Sequence, residues 1–167
     1  MMLRKFEADD GKTILGWIKS EREFRLWSAD RFSSYPITAV ELAAHYDDCT
    51  KTGAFFPFTA VDEQGIIIGH LILRYTNSEK DEVRVGFVIV DSSIRGQGIG
   101  RSILELAKKY AFETLGVNRL SLGVFENNSA AVNCYKSAGF QQREGIKEDF
   151  CILGEQWKCI EMINVRI

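Results

Sequence analysis

The chain predicts an α+β fold: one domain over residues 1–167 with a mixed, mostly antiparallel central sheet flanked by helices on both faces. Three observations lead there. Strand-like runs come in hairpin pairs, residues 55–61 with 66–75 around the turn Asp62-Glu63-Gln64-Gly65, and residues 142–153 with 156–165 around Gly154-Glu155. Between the two hairpins the pattern alternates: a strand at 82–90, a helix over 98–115, a strand at 119–125 and a helix over 128–138. The length of 167 residues, 46 % of them hydrophobic, suits a single core, and no repeat, linker or low-complexity tract divides it. The hairpins argue against an all-parallel nucleotide-binding sheet.

The first fifty residues are less regular. Residues 3–7 read as an opening strand, and Asp9 or Asp10 can cap a helix through Ile14, Leu15, Trp17 and Ile18. Residues 21–37 read as irregular and aromatic, with Phe24, Trp27, Phe32 and Tyr35 ahead of Pro36. Thr38 with Glu41 has the spacing of a capping box and opens a helix through Leu42, Ala43 and Tyr46. A loop over 77–81 leads into the strand at 82–90.

The most informative stretch is Val88 to Gly100, V-I-V-D-S-S-I-R-G-Q-G-I-G. A strand ends, three glycines follow at 96, 98 and 100, and an amphipathic helix begins with Ile99, Ile103, Ala107, Tyr110 and Ala111 on one face. A helix start presents backbone N–H groups without intrahelical partners at the positive end of its dipole. Glycines there let a ligand come close, which makes an anion site suited to phosphate or pyrophosphate. The phosphate loop ending in Gly-Lys-Ser/Thr is absent, and Gly96-Gln97-Gly98-Ile99-Gly100 lacks the third glycine of the dinucleotide fingerprint. What remains is R-x-x-G-x-G at Arg95, Gly98 and Gly100. Downstream, Asn128, Ala131, Tyr135, Gly139 and Phe140 spell N-x-x-A-x-x-x-Y-x-x-x-G-F, in which Asn128 suits an N-cap and Gly139 the left-handed residue after a helix.

Together the two motifs resemble those of the GNAT superfamily of N-acetyltransferases, and the resemblance covers residues 54–167. It implies the acyl-CoA N-acyltransferase type of sheet and acetyl-CoA as co-substrate. The backbone of Gly96, Gln97, Gly98, Ile99, Gly100 and Arg101 would receive the pyrophosphate, with charge from Arg95 and Arg101. Val88, Ile89 and Val90 would pair with the pantetheine arm like an added strand, splayed from residues 119–125, and Asn128 would reach the cofactor from the next helix. Tyr135 would be the proton donor to the CoA thiolate: a phenol with a pKa near 10 stays protonated at neutral pH. Periodicity alone would make it a core tyrosine, and Cys134 beside it reads as a small buried hydrophobe.

The general base departs from the family pattern. The two positions at which relatives carry a glutamate are Arg84 and Gly123 here. Glu82 projects from the same strand face as Arg84 and is the substitute candidate, directly or through water; its plainer reading is a solvated charge. The aromatic run from Phe24 to Tyr35, with Phe150 and Trp157, can either line an acceptor pocket or pack the core. Asp47, Asp48, Glu148 and Asp149 can recruit an amine or simply be surface.

Composition sets further expectations. A net charge of −2 with both signs dispersed gives no footprint for nucleic acid. Four cysteines without a C-x-x-C pair, and only two histidines, predict no metal site and reduced thiols in a cytoplasmic protein. The N-terminus has no apolar signal core, and no apolar run is long enough for a membrane. The expected acceptor is a small-molecule amine, a protein N-terminus or a lysine, and a homodimer is among the assemblies the resemblance implies. The competing reading is a non-catalytic acyl-CoA binding or sensing module.

Overall fold

The computed structural model describes the backbone of residues 1–167 and every side chain except those of residues 146 and 147. Seven strands form one sheet in the order β1-β2-β3-β4-β5-β7-β6. They are β1 (Met2–Lys5), β2 (Phe55–Val61), β3 (Ile67–Tyr75), β4 (Glu82–Val90), β5 (Arg119–Phe125), β6 (Gln141–Ile152) and β7 (Glu155–Val165). The pairing of β4 with β5 is parallel, and the others are antiparallel. Helices α4 (Ile99–Lys109) and α5 (Ser129–Ser137) cover one face; α1 (Asp10–Gly16), α2 (Glu21–Ser28) and α3 (Ala39–Thr50) lie on the other.

The main core joins Leu71, Leu73, Val83, Val85, Leu120 and Leu122 of the sheet to Ile103, Leu104 and Ala107 of α4. Each fully buried Leu or Ile contributes about 1.5–3 kcal/mol of transfer free energy. Leu42 and Tyr46 of α3 pack on Phe55 and Ile72 on the opposite face, and Ile14 of α1, with Trp17 just past its end, packs on Ile89.

Two irregularities in β4 shape the molecule. His70 pairs with Ile89 and Ile72 with Gly86, so Phe87 and Val88 together face Leu71 alone. This is a β-bulge, and Phe87 takes a positive φ of 50°. The Trp27 indole N–H donates to the Phe87 carbonyl at 2.8 Å and steadies the bulge. The second irregularity is a splay. The β4–β5 ladder runs from Glu82↔Arg119 to Val85↔Leu122 and stops. Beyond it β4 keeps its bonds to β3 while β5 follows β7, and a gap opens between Gly86–Val90 and Gly123–Phe125.

Several sequence expectations need correction. Residues 21–37 are not wholly irregular: α2 occupies Glu21–Ser28, capped by Ser20 Oγ accepting from Glu23 N at 3.2 Å. Asp9 sits at the cap position of α1 in helical conformation and makes no side-chain cap bond. The Asp10 carboxylate turns away to the Arg4 guanidinium (2.7 Å), Thr59 Oγ1 (2.6 Å) and Glu7 N (2.9 Å), so it ties β1 to β2. The first strand ends at Lys5 rather than at residue 7. The helix expected over 98–115 is α4 followed by a wider π turn at Tyr110–Thr114. The last hairpin turns at Leu153 and Gly154, both at positive φ, one residue earlier than expected. The Thr38–Glu41 capping box forms as expected.

Candidate active site

The glycine loop leaves the end of β4 through a short helical turn at Ser92–Ile94, in which Asp91 accepts from Ser93 N at 2.9 Å. Gly96 and Gly98 take φ of 80° and 79°, where a side chain would be strained, and nothing lies within 4 Å of a Cβ placed on either. Gly98 is the N-cap of α4, so no side chain caps the first-turn N–H groups. Gly100 serves packing instead: a Cβ there would meet Cys134 Sγ at 3.0 Å. The loop thus presents open, uncapped donors to an anion, and this fits a pyrophosphate.

From the loop a cleft of ≈ 1250 Å³ runs through the β4–β5 gap to the space beneath α2 and α3. Of the residues expected to bind cofactor, Val88, Ile89, Val90, Arg95, Gly96, Gly98, Ile99, Gly100, Arg101 and Asn128 line it; Gln97 does not. Arg95 Nε also donates to the Val90 carbonyl at 3.3 Å, fixing the strand end to the loop. Asn128 Oδ1 accepts from Ala131 N at 3.3 Å and caps α5 while facing the same cleft. The edge of β4 turned toward the gap has no strand partner after Val85, so it can accept an extended amide-bearing chain.

Tyr135, on α5, is buried against the ring of Phe140 and lines the cleft. Burial pushes its phenol above the ordinary tyrosine value, so it is protonated at any physiological pH. Burial likewise raises the Cys134 thiol, which leaves it unsuited to nucleophilic attack.

Glu82 also lines the cleft, but it is buried and clamped. Arg143 donates to Glu82 Oε2 at 3.0 Å, and Arg119 Nε lies 3.2 Å from the same oxygen. Burial alone would raise its pKa; the hydrogen bond and charge of Arg143, with the charge of Arg119, outweigh it and hold the carboxyl below its ordinary value. Glu82 is therefore not the solvated charge of the plainer reading. Arg143 extends the network to Glu161 (3.1 Å), which lies 3.5 Å from Arg84. The Arg84 guanidinium occupies the space over Gly123, where a Cβ would meet its Nη2 at 2.5 Å.

The far arm of the cleft carries residues not singled out from sequence: Arg74, Glu161 and His45. Arg74 is the direct cross-strand neighbour of Arg84, and this is legible once the β3–β4 register is known. His45, brought in by α3, lies 3.8 Å from Cys49, and burial followed by the charge of Arg31 lowers its pKa. Of the aromatic candidates, Trp27 and Phe150 line the cleft. Phe24 is a core residue packed on Trp27, Phe32 and Tyr35, and Trp157 is buried against Phe125. Of the acidic candidates only Glu148 lines the cleft; Asp48 pairs with Lys51 at the surface. Among the described residues no cluster suits a metal ion, and no helix is long and apolar enough to cross a membrane.

Comparison with known proteins agrees with this geometry. The spermidine N(1)-acetyltransferase of Vibrio cholerae is 25% identical over 154 residues, covering 92% of this chain and 86% of that protein. The mycothiol acetyltransferase of Salinispora tropica is 30% identical over 120 residues, 68% of this chain and 38% of that one. The crystal structure of the Vibrio cholerae spermidine N-acetyltransferase in complex with CoA and spermine shares the fold, with a TM-score of 0.82, 24% identity and coverage of 98% and 94%. The sequence profile of the Acetyltransferase (GNAT) family matches residues 20–140. A match across that much of the chain, on a sheet that splays beside its glycine loop, makes this protein a member of the GNAT family of acetyltransferases, which take their acetyl group from acetyl-CoA.

Proposed function

We propose that the protein moves the acetyl group of acetyl-CoA to a primary amine by direct attack in a ternary complex, with Tyr135 serving the departing thiolate. The observation that carries this reading is the free edge of β4 running from the open glycine loop into the cleft that Tyr135 lines. The loop N–H groups hold the pyrophosphate, and the strand edge orients the arm. The amine nitrogen attacks the thioester carbonyl carbon, a C–N bond forms, and the C–S bond breaks with its electron pair leaving on sulfur. The proton lost by nitrogen goes to solvent in the open cleft.

Tyr135 acts chiefly as a hydrogen-bond donor. A phenol above 10 gives its proton uphill to a thiol near 8.5, but its O–H stabilises the charge that develops on sulfur. Glu82 is charged yet weakened as a base by its two arginines, so we assign it to holding Arg119 and Arg143 in place rather than to abstracting a proton. Relatives named for spermidine and for mycothiol direct the search to small amine acceptors.

The test is release of free thiol from acetyl-CoA upon addition of amines, with thermal shift by acetyl-CoA measured alongside. Amine-dependent release supports transfer. A thermal shift without release from any amine favours the sensing module, and neither signal contradicts acyl-CoA binding altogether.

A further inference from the structure

The far arm of the cleft holds arginines that no acid pairs among the described residues. Arg74 on β3 and Arg84 on β4 stand directly opposite each other on one sheet face, a like-charge pairing that destabilises a sheet unless an anion joins it. Arg31, which follows α2, lines the same arm. Neither Arg74 nor Arg31 makes an ion pair or a side-chain hydrogen bond among the described residues, and what acts on Arg74 is burial and the charges of Arg84 and Arg31. Two of the acids nearby are committed: Glu161 serves Arg143 and Arg84, and Glu82 serves Arg143 and Arg119. Glu23 accepts from Lys19 N and keeps its charge. Glu148 and Asp30 are exposed on the cleft rim.

An anion bound by these arginines would not be the cofactor's pyrophosphate. Arg84 precedes Val90, where the glycine loop begins, by six residues of strand, roughly 20 Å. Arg84 is four residues, roughly 13 Å, from Val88 at the bulge. A small molecule bearing an amine at one end and an anionic group at the other bridges that span once the arginine side chains reach inward. A polyamine would bring ammonium groups against unneutralised guanidiniums.

We propose that Arg74, with Arg84 and Arg31, forms an anion subsite in the acceptor arm, and that the acceptor is a small amine carrying a carboxylate or a phosphate. Arg74 is on this account a specificity residue, and the assignment rests on the acetyl-transfer reading above. Guanidinium groups suit both anions through paired N–H donors.

The experiment measures thiol release from acetyl-CoA by the full chain with acceptors differing only in the anionic group. An amino acid is set against its carboxamide, and phosphoethanolamine against ethanolamine, with spermidine as the cationic arm. The account expects the anionic member of at least one pair to be favoured more than tenfold in kcat/KM, and the pair that responds separates carboxylate from phosphate. Arg74→Met should erase that preference through KM and raise the melting temperature, because it removes a half-buried cation without a partner. Arg74→Lys should retain part of the preference, and Arg31→Ala, at an exposed position, should weaken it without loss of fold. Spermidine turned over while the anionic amines are not, or a preference that survives Arg74→Met, overturns the subsite and leaves acetyl transfer standing. Bound acetyl-CoA with no anionic amine turned over also overturns it. Absence of both acetyl-CoA binding and turnover removes the acetyl-transfer reading, and the subsite with it.

Discussion

Arg84 and Gly123 are complementary: the guanidinium of one fills the volume that a side chain at the other would need. The two positions at which the resemblance would place a glutamate are therefore in contact in this chain. Gly123→Ala should cost less than about 1 kcal/mol, because the Arg84 guanidinium ends a flexible side chain that can shift, loosening its contact with Glu161. Paired with Arg84→Ala, the cost should be less than additive in a denaturant double-mutant cycle. Glu82→Gln separates an anchor from a base. Losing a charge held by Arg143 and Arg119 should cost about 1.5–3 kcal/mol in unfolding, while the acid limb of the kcat/KM–pH profile stays where it is. An acid limb abolished by the substitution would make Glu82 the base. These couplings were not legible in the sequence, since Arg143 and Glu161 lie far along the chain from Glu82 and meet it only through the β5–β7–β6 pairing.

At the scale of elements, the bulge in β4 decides where the cleft begins. It reverses the inside-outside alternation: Val83 and Val85 face α4, whereas Ile89 faces α1. A strictly alternating reading of residues 82–90 cannot see this, because the extra residue declares itself only against the partner strand. Trp27→Phe removes the indole donor to the Phe87 carbonyl and should cost about 1 kcal/mol by denaturant unfolding. It should also lower kcat/KM for acetyl-CoA in steady-state assays, since the bulge aims the strand edge at the gap. The existence of α2 was legible in principle. Ser20 and Glu23 have capping spacing, and Phe24, Trp27 and Ser28 recur at helical intervals, but the aromatic content and the nearby Pro36 masked them. By contrast, the turn at the glycine loop and the start of α5 are legible because their determinants are local: positive φ at Gly96 and Gly98, and the Asn128 cap.

For the whole molecule, two buried groups on the face opposite α4 set the response to acid. His70 is fully buried with Tyr46 Oη 2.7 Å from its Nε2, and burial lowers its pKa to about 3. The unfolded chain binds a proton there below about 6.5 and the folded one does not, so stability falls as pH drops from about 6.5 toward 3. The slope should approach about 1.4 kcal/mol per pH unit, or roughly 3–5 °C in melting temperature for a chain of this size. Asp10 acts lower on the scale. Burial opposes its ionisation, but Arg4, Thr59 and the Glu7 amide outweigh it and lower its pKa, so its stabilising contribution is lost only as pH falls below the ordinary carboxylate value. Thermal melts between pH 7.5 and 4.5 should therefore show a decline that His70→Gln flattens. The overall class, a mostly antiparallel sheet between two helical layers, followed from the hairpins and the alternation between them. The splay did not follow from the residues themselves, because the end of the β4–β5 ladder is a property of two strands about thirty residues apart rather than of either sequence alone.

The measurement that bears most directly on the central claim is Tyr135→Phe, with kcat for acetyl transfer and Kd for acetyl-CoA determined on the same preparation. If the buried hydroxyl serves only the departing thiolate, as the account proposes, kcat should fall about 10²-fold or more with Kd nearly unchanged. A variant that turns over like the wild type, or one that loses acetyl-CoA affinity in step with its rate, would contradict it.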